Sequence, residues 1–186
     1  MKPNKIMRMI GVAGLAIASL ASASLTAQDK YTLQVPGGLG FSEFRGYEGW
    51  QVVSVSQNAA SLFAVTVANP AMISAFQSGF PGNGQPFPDG AKMAKIHWTT
   101  KKLETFPSAT VPATQHDVDF MEKDSKKFAD SGGWGYATFD YDAASGTFTP
   151  GTTADKPPQG HDAKCGFACH TAVKSRDYVF TSYATR

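Results

Sequence analysis

The sequence predicts an α+β domain, predominantly an antiparallel β-sheet with a few short helices. Three observations carry that prediction. β-Branched and aromatic residues fall in short runs with partial two-residue alternation, Gly and Pro clusters separate the runs, and helical stretches are few and short.

Taken in order, Tyr31-Thr32-Leu33-Gln34-Val35 alternates and predicts a short strand that Pro36-Gly37-Gly38 breaks. Gly46 to Trp50 leads into the β-branched run Gln51 to Ser56. Leu62 to Ala68 predicts the next strand, ended by Asn69-Pro70. Pro70 suits the first turn of a helix over Ala71 to Gln77, where its missing N–H is not needed. Gly79 to Gly90 is a Gly/Pro-rich loop, and a strand follows over Ala91 to Trp98. On that strand Met93, Lys95 and His97 share one face, and Lys92, Ala94, Ile96 and Trp98 the other. A mostly polar connection over Thr99 to His116, a strand at Val118 to Met121 and a helix over Lys123 to Ala129 come next. Trp134 to Tyr141 is a clear strand, with Trp134, Tyr136, Thr138 and Asp140 on one face. Thr, Pro, Gly and charged residues from Pro150 to Lys164 predict an extended tether. A short helix from His170 to about Ser175 and a strand over Tyr178 to Tyr183 close the chain.

The first residues have the layout of a secretory signal. Lys2, Lys5 and Arg8 form a basic region, Met9 to Leu20 is apolar and rich in small residues, and Ala21-Ser22-Ala23 offers a cleavage site. Leu25-Thr26-Ala27 is a second such site. The apolar run is too short, and too rich in Ala and Ser, for a membrane anchor. The expected organisation is a leader over 1–27 and one exported domain over 28–186, with no membrane attachment after cleavage. The full chain carries 17 Lys/Arg against 15 Asp/Glu, and the leader holds three of the basic residues, so the remainder is 14 minus 15, or −1. No cluster of Lys/Arg gives a nucleic-acid footprint.

The chemistry concentrates in Cys165-Gly166-Phe167-Ala168-Cys169-His170. The chain has only two cysteines, and both lie here, with a histidine directly after the second. This is the C-x-x-C-H pattern of covalent c-type haem attachment with one extra residue between the thiols. Two thiols add across the haem vinyl groups, and the adjacent imidazole reaches the iron as proximal ligand. The extra residue adds roughly 3.5 Å of contour, which a bulged loop absorbs. Three other readings compete. A disulfide across so tight a loop would stabilise little. A redox dithiol wants C-x-x-C beside a βαβ unit, which is not found. Zinc would need two more ligands, such as His161 and His170, at a spacing that fits no familiar module. Small helical c-type cytochromes carry the motif near the N-terminus. Here it follows a largely β domain.

With those residues in place, the chain resembles the cytochrome P460 family from about Tyr47 to Tyr183. The likeness lies in Tyr47 and Trp50, in Phe87-Pro88-Asp89-Gly90 with Lys95, in Lys123-Asp124-Ser125-Lys126-Lys127-Phe128-Ala129, in Trp134, in the attachment motif and in Val179-Phe180-Thr181. The resemblance implies a mostly β fold, commonly a homodimer, with pentacoordinate haem c attached through Cys165 and Cys169 and ligated by His170. In the catalytic members a lysine is cross-linked to a meso carbon of the haem, and Lys95 matches that residue. Those members oxidise hydroxylamine in the periplasm, with nitric oxide chemistry close by, and pass electrons to a periplasmic acceptor. A related branch, the β-type cytochromes c′, binds nitric oxide without the lysine link.

Each assignment has a plainer counterpart. Lys95 is also readable as a solvated strand lysine, and Lys92 offers a competing amine on the opposite face. The pocket glutamate of the family falls on Asp119, one methylene shorter. A carboxylate there would take the protons that hydroxylamine loses. A basic residue that some members carry is Ala64 here. His97 has no counterpart in that pattern and faces the same side as Lys95. An electron carrier would instead need a sixth iron ligand, for which Met72, Met93, Met121, His97, His116 and His161 are the candidates. No G-x-S-x-G, H-E-x-x-H or P-loop is present.

Overall fold

The computed structural model describes residues 27–36, 38–58, 62–151 and 166–185. Cys165, His161, most of the leader and most of the tether lie outside the described residues. Six strands form one antiparallel meander: β1 (Gln51–Gln57), β2 (Phe63–Ala68), β3 (Lys92–Leu103), β4 (Phe106–Lys123), β5 (Trp134–Asp142) and β6 (Thr147–Pro150), hydrogen-bonded in that order. The helices are short, as the fold class requires: α1 (Pro70–Gln77), α2 (Phe167–His170) and several 3-10 turns. Asn69 caps α1 by accepting from the Met72 N–H at 3.0 Å, and Pro70 opens it.

Each face of the sheet buries its own core. On one face the segment before β1 folds over Ala94, Ile96, Val118, Phe120 and Phe139. Phe44 stacks on Phe120 at 4.0 Å between ring centroids, and Phe41 meets Phe120 edge-on at 5.1 Å. On the opposite face α1 and the C-terminal segment pack on Met93, Met121, Trp134 and Tyr136, with Tyr178 and Val179 buried among them.

Several local expectations are corrected. Residues 31–35 form no strand: Asp29 caps a 3-10 turn at Lys30–Thr32, and only an isolated bridge, Gln34 to Gly40, follows. The polar stretch from Thr99 to His116 is the outer part of the β3–β4 hairpin. Much of it is exposed, so it never develops the alternation of a half-buried strand. Lys123 to Phe128 is not helical, and only a 3-10 turn at Ala129–Ser131 follows. β4 runs to Lys123, and the Asp124 carboxylate then accepts from the N–H groups of Lys126 and Lys127 at 3.0 and 2.9 Å, making a turn. Finally, Tyr178 to Tyr183 joins no ladder, because Asp177 and Tyr178 both adopt positive φ (48° and 63°) and swing the chain away from the sheet.

Candidate functional site

Register places one polar row across four strands. Thr66 of β2 pairs with Lys95 of β3, Lys95 with Asp119 of β4, and Asp119 with Thr138 of β5. All four side chains line a cleft of about 200 Å³ between the sheet and α2. Met93, Met121 and Tyr136 extend the sheet wall, and Cys169, His170 and Phe180 form the wall opposite. Asp119 accepts from the Thr138 hydroxyl at 2.8 Å. Lys95 is exposed and makes no hydrogen bond or ion pair among the described residues.

His170 is held in one orientation. Its Nδ1–H donates to the Tyr178 carbonyl at 2.6 Å, which fixes the proton on Nδ1 and leaves the Nε2 lone pair available. The ring lies between Tyr136 and Phe180, at centroid distances of 4.9 and 5.0 Å. Burial lowers the His170 pKa, outweighing the bond to the Tyr178 carbonyl and the field of Asp119, while Lys95 lowers it further. A neutral imidazole with a free Nε2 is the form that binds a metal.

The carbonyl that steers His170 is itself held by a buried ion pair. Lys123 Nζ donates to Asp177 Oδ1 at 2.8 Å and to the Gly132 carbonyl at 3.0 Å, and its side chain is only 5% exposed. Asp177 Oδ2 also accepts from the Phe87 N–H at 2.7 Å. Those contacts hold the two positive-φ residues in place. Gly132, at φ +70°, lies under the Tyr178 ring, and a Cβ there would come within 2.2 Å of it. Asp89 ties the same corner by accepting from the Ser125 N–H and hydroxyl, both at 2.8 Å. The segments around Phe87 and Lys123 therefore act at a distance, by placing the residue that orients His170.

The family model for Cytochrome P460 matches residues 44–181, most of the chain. The chain belongs to the cytochrome P460 family. It is a c-type haem protein of the P460 kind. Among curated proteins, none shows significant similarity to it. The cleft suits the haem of that family: an imidazole with a free Nε2 and the Cys169 side chain line one wall, and Met93, Met121 and Phe180 make the rest largely apolar. Tyr136 Oη, buried in the same wall, has no hydrogen-bond partner among the described residues, so a donor waits there for a polar group of the ligand. Burial pushes the Tyr136 pKa up, so the hydroxyl keeps its proton.

Of the residues singled out in the sequence, Lys95, Asp119, Cys169 and His170 come together at the cleft, and Cys165 lies outside the described residues. His97 shares their face but does not line the cleft. It is 8% exposed, and its Nδ1 lies 2.5 Å from Asp117 Oδ1. Met93 and Met121 reach the cleft wall, Met72 is core, and His116 is exposed. Sequence reading missed Tyr136, Asp177 and Asp117. The strand alternation through Trp134 and Thr138 already put Tyr136 on the correct face. Asp177 and Asp117 depend on a turn and a register that no local pattern announces.

Proposed function

We propose that the mature chain, 28–186, is a periplasmic enzyme that oxidises hydroxylamine or a related small nitrogen species such as nitric oxide. The observation that carries this reading is the register pair Lys95–Asp119, presented to a cleft whose far wall holds His170. Cys165 and Cys169 would attach the haem through thioethers, and His170 would hold its iron through Nε2. A bound haem would supply the iron site and the redox centre through which the substrate's electrons leave for a periplasmic acceptor. Asp119, fixed by Thr138, accepts a proton that the N–H or O–H of the substrate gives up. Lys95 would supply the amine for the haem edge, since it makes no ion pair among the described residues. The apolar remainder of the lining excludes large or charged ligands.

The deciding measurement is the absorption spectrum of the dithionite-reduced holoprotein. A strongly red-shifted Soret band is expected for a ring modified by Lys95, and Lys95→Ala is expected to remove both that shift and hydroxylamine turnover. An ordinary ferrous c-type spectrum with unchanged turnover in the variant overturns the role of Lys95. The apolar lining by Met93, Met121 and Phe180 favours a second reading, a binder of nitric oxide. Stable nitric oxide binding without hydroxylamine turnover is the result that selects it.

A further inference from the structure

Beside the cleft, two carboxylates converge on one imidazole nitrogen. Asp119 Oδ2 lies 3.8 Å from His97 Nδ1, and Asp117 Oδ1 lies 2.5 Å from the same atom. One ligand atom from each of the three residues lies within 4.8 Å of the other two. Strand register produces the cluster: Asp117 stands opposite His97 and Asp119 opposite Lys95, so both carboxylates fall on one face of β4. The outer oxygen of each carboxylate is tied back. Asp119 Oδ1 accepts from the Thr138 hydroxyl at 2.8 Å, and Asp117 Oδ2 lies 2.6 Å from His116 Nδ1. The inner oxygens are thereby aimed at His97. The side chains of His97, Asp117 and Asp119 are only 10%, 13% and 17% exposed, so this is no solvated acidic patch.

We propose that His97 Nδ1, Asp117 Oδ1 and Asp119 Oδ2 form a binding site for a divalent transition-metal cation such as Zn²⁺. One imidazole nitrogen with two carboxylate oxygens suits such a cation, with water in the open positions, whereas Ca²⁺ and Mg²⁺ take oxygen ligands. Atoms that share a metal at about 2.0–2.2 Å lie roughly 3–4 Å apart, so Asp119 already stands at ligand distance from His97, and the ring has to draw back only about 0.5 Å from Asp117. In the bound form Nδ1 gives its lone pair to the cation and the ring proton sits on Nε2. Thr138 and His116 supply the outer hydrogen bonds that fix the ligating carboxylates. Asp119 lines the cleft, which gives the cation its way in. A cation on Oδ2 withdraws the carboxylate that takes up the substrate's protons, so occupancy inhibits turnover. That consequence rests on the proposed function; the site itself does not.

The test is calorimetric titration of untagged holoprotein with Zn²⁺. Wild-type protein should bind one Zn²⁺ per chain. Thr138→Val, which removes only an outer hydrogen bond, should weaken binding by about 10–100-fold, and His97→Gln and Asp117→Asn, which remove ligands, should weaken it more. Saturating Zn²⁺ should raise the Tm of the wild type and leave that of His97→Gln unmoved, because a cation stabilises only the fold that binds it. Should one variant fail to fold, the other two carry the comparison. No Zn²⁺ binding by the wild type overturns the site, as does wild-type affinity in the variants, which would put the cation elsewhere. Zn²⁺ should also slow hydroxylamine turnover in the wild type and not in His97→Gln. Binding at the three residues without that inhibition upholds the site and overturns Asp119 as the proton acceptor. If the wild type does not turn over hydroxylamine, the proposed function fails and the calorimetry alone decides the site.

Discussion

β3 and β4 carry two lysine–carboxylate pairs of identical register, one on each face of the sheet: Lys92 opposite Glu122, and Lys95 opposite Asp119. On the inner face Lys92 Nζ sits 3.0 Å from Glu122 Oε1, donates to the Glu43 carbonyl at 2.9 Å and lies 5.2 Å from the Phe44 ring. The Glu43 carbonyl and the Phe44 ring both belong to the segment that folds over that face. On the cleft face Asp119 is engaged by Thr138 and neighbours His97, and Lys95 is left without an ion pair among the described residues. The same two residue types make a staple where a third element covers them and stay unpaired with each other among the described residues where the facing element stands off. What separates them is the covering segment, not the residues.

Substitution should separate the faces cleanly. Asp119→Asn, which cannot accept the substrate's proton, is expected to lower kcat by about 10²–10⁴-fold with stability nearly unchanged. Lys92→Ala should do the reverse, leaving turnover within about twofold and costing about 1.5–3 kcal/mol in urea unfolding, because two bonds to a charged donor are lost. Loss of turnover in Lys92→Ala with full activity in Asp119→Asn would reverse the assignment of the two faces.

A third lysine sharpens the contrast. Lys123 belongs to the cleft face, yet it is buried and paired with Asp177 like a structural lysine. Lys123→Met keeps its length and leaves Asp177 uncompensated, at an expected cost of about 3–5 kcal/mol in urea unfolding. The same change should weaken the hold on the Tyr178 carbonyl, and so alter the haem spectrum through His170. Unfolding at the wild-type urea concentration would show that the pair is not what fixes this corner.

The staple and the cleft pair also differ in how far the sequence announces them. Strand periodicity alone put Lys92 and Lys95 on opposite faces, and the match around Phe87-Pro88-Asp89-Gly90 pointed to Lys95. It could not say that Phe87 and Lys123 serve Asp177, because that contact spans 54 residues between Lys123 and Asp177 and closes only in three dimensions. The outer hairpin from Thr99 to His116 escaped for a related reason: apolar alternation records burial, and exposed strand residues leave no such record. Tyr178 to Tyr183 failed in the opposite sense. Its β-rich composition reflects Tyr178 and Val179 packing into the core, while positive φ at two consecutive residues prevents a ladder.

Glu122 offers the gentlest test of the inner face. Burial, together with a hydrogen bond to Glu43, raises its pKa to about 7, prevailing over the attraction of Lys92. Glu43 moves the other way: burial raises its pKa, but bonds from Glu122 and the Gly40 N–H, with the charges of Lys127 and Lys92, hold it low. Glu122 therefore keeps its proton below about pH 7, beside an ionised Glu43. A group that binds its proton more tightly when folded contributes stability that is full below its ordinary pKa of 4.5 and is lost as pH rises through about 7. Wild-type protein should accordingly lose on the order of 1 kcal/mol between pH 5 and pH 8, a figure kept small by solvent screening of a partly exposed pair. Glu122→Gln donates to Glu43 at every pH, so its unfolding free energy should stay flat over that interval. If wild type and Glu122→Gln change in parallel from pH 5 to pH 8, Glu122 is ionised throughout and the inner pair is an ordinary salt bridge.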